Sequence, residues 1–196
     1  MKELIQKTIE TSIQVKKNFF QNHADMIISC ARTLSQTLKN NHKILLFGNG
    51  GSAADSQHIA AEFINRFQME RRPLPAIALT TDTSVITSIG NDYSFDDIFV
   101  KQVQALGKKG DAAIGITTSG NSPNIIKAVT QAAGIGMKII GFSGAKGQLK
   151  SLSDYPFCVN SETTARIQEI HMLLAHILCD LTERILFDEK TVCSFG

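Results

Sequence analysis

The chain has 196 residues, 43% of them hydrophobic and 19% charged, with a formal net charge of +2. That length suits one domain able to bury its own core without disulfide or metal staples. So weak a basic excess gives no footing for a nucleic-acid or membrane partner.

The four cysteines, Cys30, Cys158, Cys179 and Cys193, form no CxxC pair. This argues against a disulfide framework or a cysteine zinc site and for a reducing, cytoplasmic setting. The charged start Met1-Lys2-Glu3-Leu4 does not read as a signal peptide, and no apolar run is long enough to span a bilayer.

Residues 3–39 hold neither Gly nor Pro, and their apolar residues recur at helical spacing. Ile5, Ile9 and Ile13 make one stripe; Ile27, Ala31, Leu34 and Leu38 make another. The polar stretch Gln21-Asn22-His23 is expected to divide the segment into two helices. Neither stripe has a sheet beside it in sequence, so another copy of the chain is the expected partner.

From residue 43 short apolar runs alternate with helices. Strands are expected at 43–47, 76–80, 112–117, 138–142 and, more weakly, 156–159. Each run is bounded by Gly, Pro, Ser or Asp, as buried parallel strands are. Helices are expected at 53–67, 96–105, 123–133 and 163–187. Such alternation predicts an α/β fold, an open parallel sheet with helices on both faces.

Two loops leave strands at the edge where open α/β sheets bind ligands. Gly48-Asn49-Gly50-Gly51-Ser52 follows the first strand. Its glycines permit close backbone approach, Ser52 is a candidate helix cap, and N–H groups at a helix start favour an anion. The pattern is neither GxGxxG nor GxxxxGK[ST], which disfavours a dinucleotide or a P-loop triphosphate. Thr117-Thr118-Ser119-Gly120-Asn121-Ser122-Pro123-Asn124 follows the third strand, with Ser122 as expected N-cap and Pro123 as first helical residue. Its hydroxyls suit phosphate oxygens. Singly, each loop is as readily a plain tight turn; together they point to a bound phosphate.

His58 and Glu62 sit four apart on one helix face. Such a pair can bind a divalent ion, move protons, or form an ordinary surface hydrogen bond. In the last helix Gln168, His171 and His176 interrupt a dense apolar run, and buried polar groups there need partners. His176, between Ala175 and Ile177, is the most out of place. On a straight helix Gln168 and His176 are separated by about 12 Å along the axis and roughly 80° around it. One ion would meet both only through long side chains leaning inward, or if different chains supplied them, which points to a site near a subunit interface.

Five ordered motifs, GNGGSAADSQHIAAE at 48–62, ALTTDTS at 78–84, GND at 90–92, TTSGNSPN at 117–124 and ARIQEIHMLLAH at 165–176, resemble the sugar isomerase (SIS) domain family and closely the bacterial phosphoheptose isomerases. The resemblance implies a three-layer αβα sandwich on a five-stranded parallel sheet. Residues 1–40 would form a helical segment that packs on this domain and on partner subunits, 41–188 the SIS domain and 189–196 a tail. It implies conversion of sedoheptulose 7-phosphate to D-glycero-D-manno-heptose 7-phosphate through an enediol, on the way to ADP-heptose and lipopolysaccharide or related glycans.

Carried over by position, Asn49, Gly50, Gly51, Ser52, Glu62, Asn91, Asp92 and Gln168 would line the substrate, and Thr117, Thr118, Ser119 and Ser122 its phosphate. Glu62 would be the base and His176 the acid. His58, Glu62, Gln168 and His176 would hold one zinc per subunit of a homotetramer. The chain also resembles SIS regulators that bind the replication initiator DnaA, in Ile64-Asn65-Arg66-Phe67, Pro73-Leu74-Pro75-Ala76 and Cys179-Asp180-Leu181. Those regulators lack the pair found here at Glu62 and His176. A sugar-phosphate sensor without turnover is the remaining alternative.

Overall fold

The computed structural model describes residues 1–188, and the expected tail at 189–196 lies outside them. Helix α1 (Lys2–Lys39) leads into β1 (Ile44–Gly48), α2 (Gly51–Ile64), β2 (Ala76–Ala78), α3 (Thr83–Asp92), a 3₁₀ turn (Phe95–Asp97) and α4 (Val100–Leu106). There follow β3 (Ala112–Thr117), α5 (Pro123–Ile135), β4 (Lys138–Gly144), the short α6 (Leu149–Leu152), β5 (Tyr155–Val159) and α7 (Thr164–Phe187).

All five strands are parallel, in the order β2-β1-β3-β4-β5, with Ile44 facing Ala76 on one side and Ala112 on the other. Alternate side chains enter two cores. Ile44, Leu46, Ile114, Ile116 and Phe142 meet α1, α2 and α7, while Leu45, Phe47, Ala113 and Ile139 meet the helices of the opposite face. This is the expected three-layer sandwich. The strand order reverses between β1 and β3, and the two loops of interest leave these neighbouring strands, on either side of the crevice where such sheets take ligands.

The expected break at Gln21-Asn22-His23 is absent: α1 runs unbroken through it. Without Gly or Pro nothing forces a break, and the polar residues serve the helix. The Asn22 amide donates to the Asn18 carbonyl at 2.8 Å, and His23 Nδ1–H donates to that of Phe19 at 2.8 Å. The two stripes also part company. Ile27, Ala31, Leu34 and Leu38 are buried within the chain's own core, so they need no second copy, whereas Ile5, Ile9 and Ile13 are 62%, 53% and 47% exposed.

The expected helix at 96–105 is split into the 3₁₀ turn and α4. Helix α3 was missed altogether, although Asp82 carries the start signal: its carboxylate accepts the Val85 N–H at 3.0 Å.

Candidate active site

Helix α2 begins two residues earlier than a Ser52 cap would require. Gly50 holds the N-cap position with φ of 55°, a conformation that suits glycine, and Ser52 is a buried residue inside the first turn. Ser122 does occupy the N-cap of α5, yet its hydroxyl makes no capping bond. It meets Thr117 Oγ1 at 2.8 Å, and Thr117 Oγ1 lies 3.2 Å from Ser119 Oγ. The hydroxyls of the second loop thus form one cluster rather than a cap.

The two loops are joined by a residue that sequence reasoning passed over. Asn124, 1% exposed, exchanges two amide hydrogen bonds with Asn49 and accepts the Ile125 N–H at 3.0 Å. Beside Thr118 and Ser119 a cavity of about 360 Å³ opens towards Lys146, Asn160 and Ser161. Lys146 supplies the cation of that rim, paired with Glu162 at 3.1 Å.

Helices α2 and α7 lie side by side and run in the same direction. Near their starts Gln168 lies over Gly51, and a Cβ at position 51 would stand 2.5 Å from Gln168 Nε2. Only glycine leaves room for that amide. Two turns on, His58 Nε2 is 3.1 Å from His176 Nε2 and 3.2 Å from Glu62 Oε1. One ligand atom from each of His58, Glu62 and His176 lies within 4.8 Å of the others.

Ligands 2.0–2.1 Å from a tetrahedral zinc stand roughly 3.3 Å apart, and two imidazoles with a carboxylate form a catalytic zinc donor set. Both the spacing and the chemistry therefore fit a zinc ion. Gln168, over Gly51, stands two turns from this cluster within one chain.

Around the cluster, Phe67 stacks on the His176 ring with centroids 5.4 Å apart. Asp55 shares the α2 face of Gly51, His58 and Glu62 by its spacing. Its Oδ2 is buried without a partner, and burial raises its carboxyl above the usual range against the opposing charge of His58. His171, the other histidine of α7, is fully buried and donates from Nε2 to the Ser143 carbonyl at 3.3 Å. Burial pushes its pKa down to about 4, against that hydrogen bond, so it is a neutral core residue.

Asn91 and Asp92 end α3 in solvent, with the Asn91 amide donating to Asp92 at 2.8 Å. Among the described residues no hydrogen bond joins either to the loops or the cluster.

A family model described as the SIS domain matches residues 9–144. The phosphoheptose isomerase of Nitratidesulfovibrio vulgaris is 54% identical over 89% of this chain and 85% of its own. The solved phosphoheptose isomerase of Neisseria gonorrhoeae is 43% identical, with a TM-score of 0.86 over 93% of this chain and 98% of that one. That of Francisella tularensis is 41% identical, with a TM-score of 0.88 over 93% and 97%. Identity of this order across nearly whole chains, with the crevice loops and the helix pair in place, makes the chain a member of the SIS-domain family and, within it, of the phosphoheptose isomerases.

Proposed function

We propose that the chain converts sedoheptulose 7-phosphate to D-glycero-D-manno-heptose 7-phosphate, feeding the synthesis of ADP-heptose for lipopolysaccharide or a related glycan. The observation that carries this reading is the meeting of Glu62 and His176 around His58, on two helices whose starts adjoin the phosphate-type loop. A ketose–aldose shift moves a proton from C1 to C2 and another from the C1 hydroxyl to the C2 oxygen, so it calls for a positioned base and a positioned acid.

Glu62 is the base and His176 the acid. The hydroxyls of Thr117, Thr118, Ser119 and Ser122 hold the phosphate. Asn49, the backbone of Gly50 and Gly51, Ser52 and Gln168 line the sugar. Asn91 and Asp92, remote in one chain, belong to this set as residues offered by a neighbouring copy.

His58, Glu62 and His176 would hold zinc, which when bound polarises a carbonyl oxygen as a Lewis acid. Gln168 would join them only across a subunit boundary, and a homotetramer with shared sites is proposed on that ground. Among the described residues no helix is long and apolar enough to cross a membrane; the cytoplasm, with its sugar phosphates, is the proposed setting.

The test is incubation of the purified protein with sedoheptulose 7-phosphate, with and without added zinc, followed by detection of an aldose phosphate. Product formation is the expected result. Binding without product at several pH values would overturn the assignment and leave a sensor.

A further inference from the structure

Beyond the His58–Glu62–His176 cluster, the seam between α2 and α7 is closed by a buried ion pair. Glu183 lies seven residues after His176, on the same face of α7. The side chains of Arg71 and Glu183 are 1% and 0% exposed. Arg71 Nε donates to Glu183 Oε1 at 2.9 Å, and Nη2 stands 2.8 Å from the same oxygen. The carboxylate also accepts the backbone N–H groups of Phe67, Gln68 and Met69, at 2.7, 2.9 and 3.1 Å.

The guanidinium reaches further. Nη2 donates to the carbonyl of Glu62 at 2.8 Å, and Nη1 to those of Phe63 and Asn65 at 2.7 and 3.2 Å. These carbonyls belong to the C-terminal end of α2, where helices lack internal partners. One side chain of the 65–72 segment therefore ties the peptide of Glu62 to α7, and the same segment lays Phe67 on the His176 ring, 19° from coplanar.

Stability by itself is a weak reason for such a pair, because apolar residues of similar volume often serve a core as well or better. Placement is the stronger one. Burial would raise the Glu183 carboxyl, but the three N–H groups and Arg71 outweigh it and hold it below the usual range, so the clamp stays charged at neutral pH.

We propose that Arg71 and Glu183 are positioning residues of the isomerase: they set α2 against α7 so that Glu62 meets His176, and through Phe67 they fix the plane of the His176 ring. The inference rests on Glu62 and His176 being the acid–base pair, but the register it describes also governs metal binding by the cluster. That gives a readout independent of turnover.

The experiment compares wild type with Arg71→Lys, Glu183→Gln, Phe67→Leu and Phe67→Tyr. Each is followed by thermal melt, by steady-state kinetics on sedoheptulose 7-phosphate well below its own Tm, and by Zn²⁺ titration of the chelator-stripped protein against a fluorescent competitor. Arg71→Lys, Glu183→Gln and Phe67→Leu should each lower kcat at least tenfold with KM within about threefold, and weaken Zn²⁺ binding at least fivefold. Phe67→Tyr, which keeps the ring, should restore both.

If Glu183→Gln does not fold, the half-buried Phe67 pair of variants carries the test. Variants that merely melt earlier, with kcat and Zn²⁺ affinity within twofold of wild type, would overturn the proposal. An inactive wild type whose Zn²⁺ affinity still falls in the variants would sink the isomerase reading and leave the clamp standing.

Discussion

The amides of Asn49 and Asn124 bond reciprocally, each Nδ2 donating to the other's Oδ1 at 2.9 Å across the crevice between β1 and β3. Both loops are thereby one unit, and the shape of the proposed phosphate end depends on a residue that need not touch a bound phosphate. In Asn124→Ala, Asn49 loses its partner and the Ile125 N–H keeps only one of its two acceptors, the Ser122 carbonyl at 3.0 Å. We expect a stability loss of about 1–3 kcal/mol, from partly buried polar groups left unpaired. KM should rise roughly tenfold, equivalent to about 1.4 kcal/mol of lost binding. A melt and a kinetic titration check the two effects separately.

Gly51→Ala separates fold from site. The added Cβ would meet only the end of the Gln168 side chain, at 2.5 Å, which can swing away. Position 51 is the first residue of α2, where alanine restricts the unfolded chain more than glycine does. The variant should melt at or slightly above the wild-type temperature while kcat/KM falls at least tenfold, because Gln168 no longer lies over the loop. Unchanged kinetics would remove Gln168 from the site.

Glu62→Gln keeps the size of the side chain and the Arg71 bond to the residue-62 carbonyl. Turnover should fall by about 10²–10⁴, the range for losing a positioned acid or base, with the oligomer mass by light scattering unchanged. Activity near wild type would exclude Glu62 as the base.

His171 makes stability depend on pH. Its folded pKa is pushed down to about 4, below the ordinary 6.5. Between those values the unfolded chain binds a proton that the folded chain refuses, so this contribution is fully present above pH 6.5 and is lost as pH falls. From pH 8 to pH 5 it amounts to about 2 kcal/mol. Denaturant melts of His171→Leu should show a pH dependence shallower by that amount; parallel curves for both proteins would refute it.

The strands and the large helices are legible along the chain because their signals are local. β1, β3 and β4 are short apolar runs between turn residues, α7 a dense apolar stretch, and α1 a long segment without breakers. Helix α3 and the split at Phe95–Asp97 escape that reading, since short helices with few buried residues leave little periodicity to detect. The same locality explains the error at Gln21-Asn22-His23, where polarity resembled a boundary but the groups bond back to the helix.

Residue types at the site were also visible: the glycines and hydroxyls of the two loops, the His58–Glu62 spacing and the misplaced His176. Sequence determined which chemistry the chain carries. Only the tertiary structure decided which groups meet, because contacts between positions 58 and 176, 49 and 124, or 71 and 183 depend on how β1 and β3 adjoin and on the parallel alignment of α2 with α7. It set His171 apart as a core residue and His176 as a member of the cluster with His58 and Glu62, although both interrupt the same apolar helix. The difference is their surroundings: His171 faces the Ser143 carbonyl and a dry core, whereas His176 faces His58.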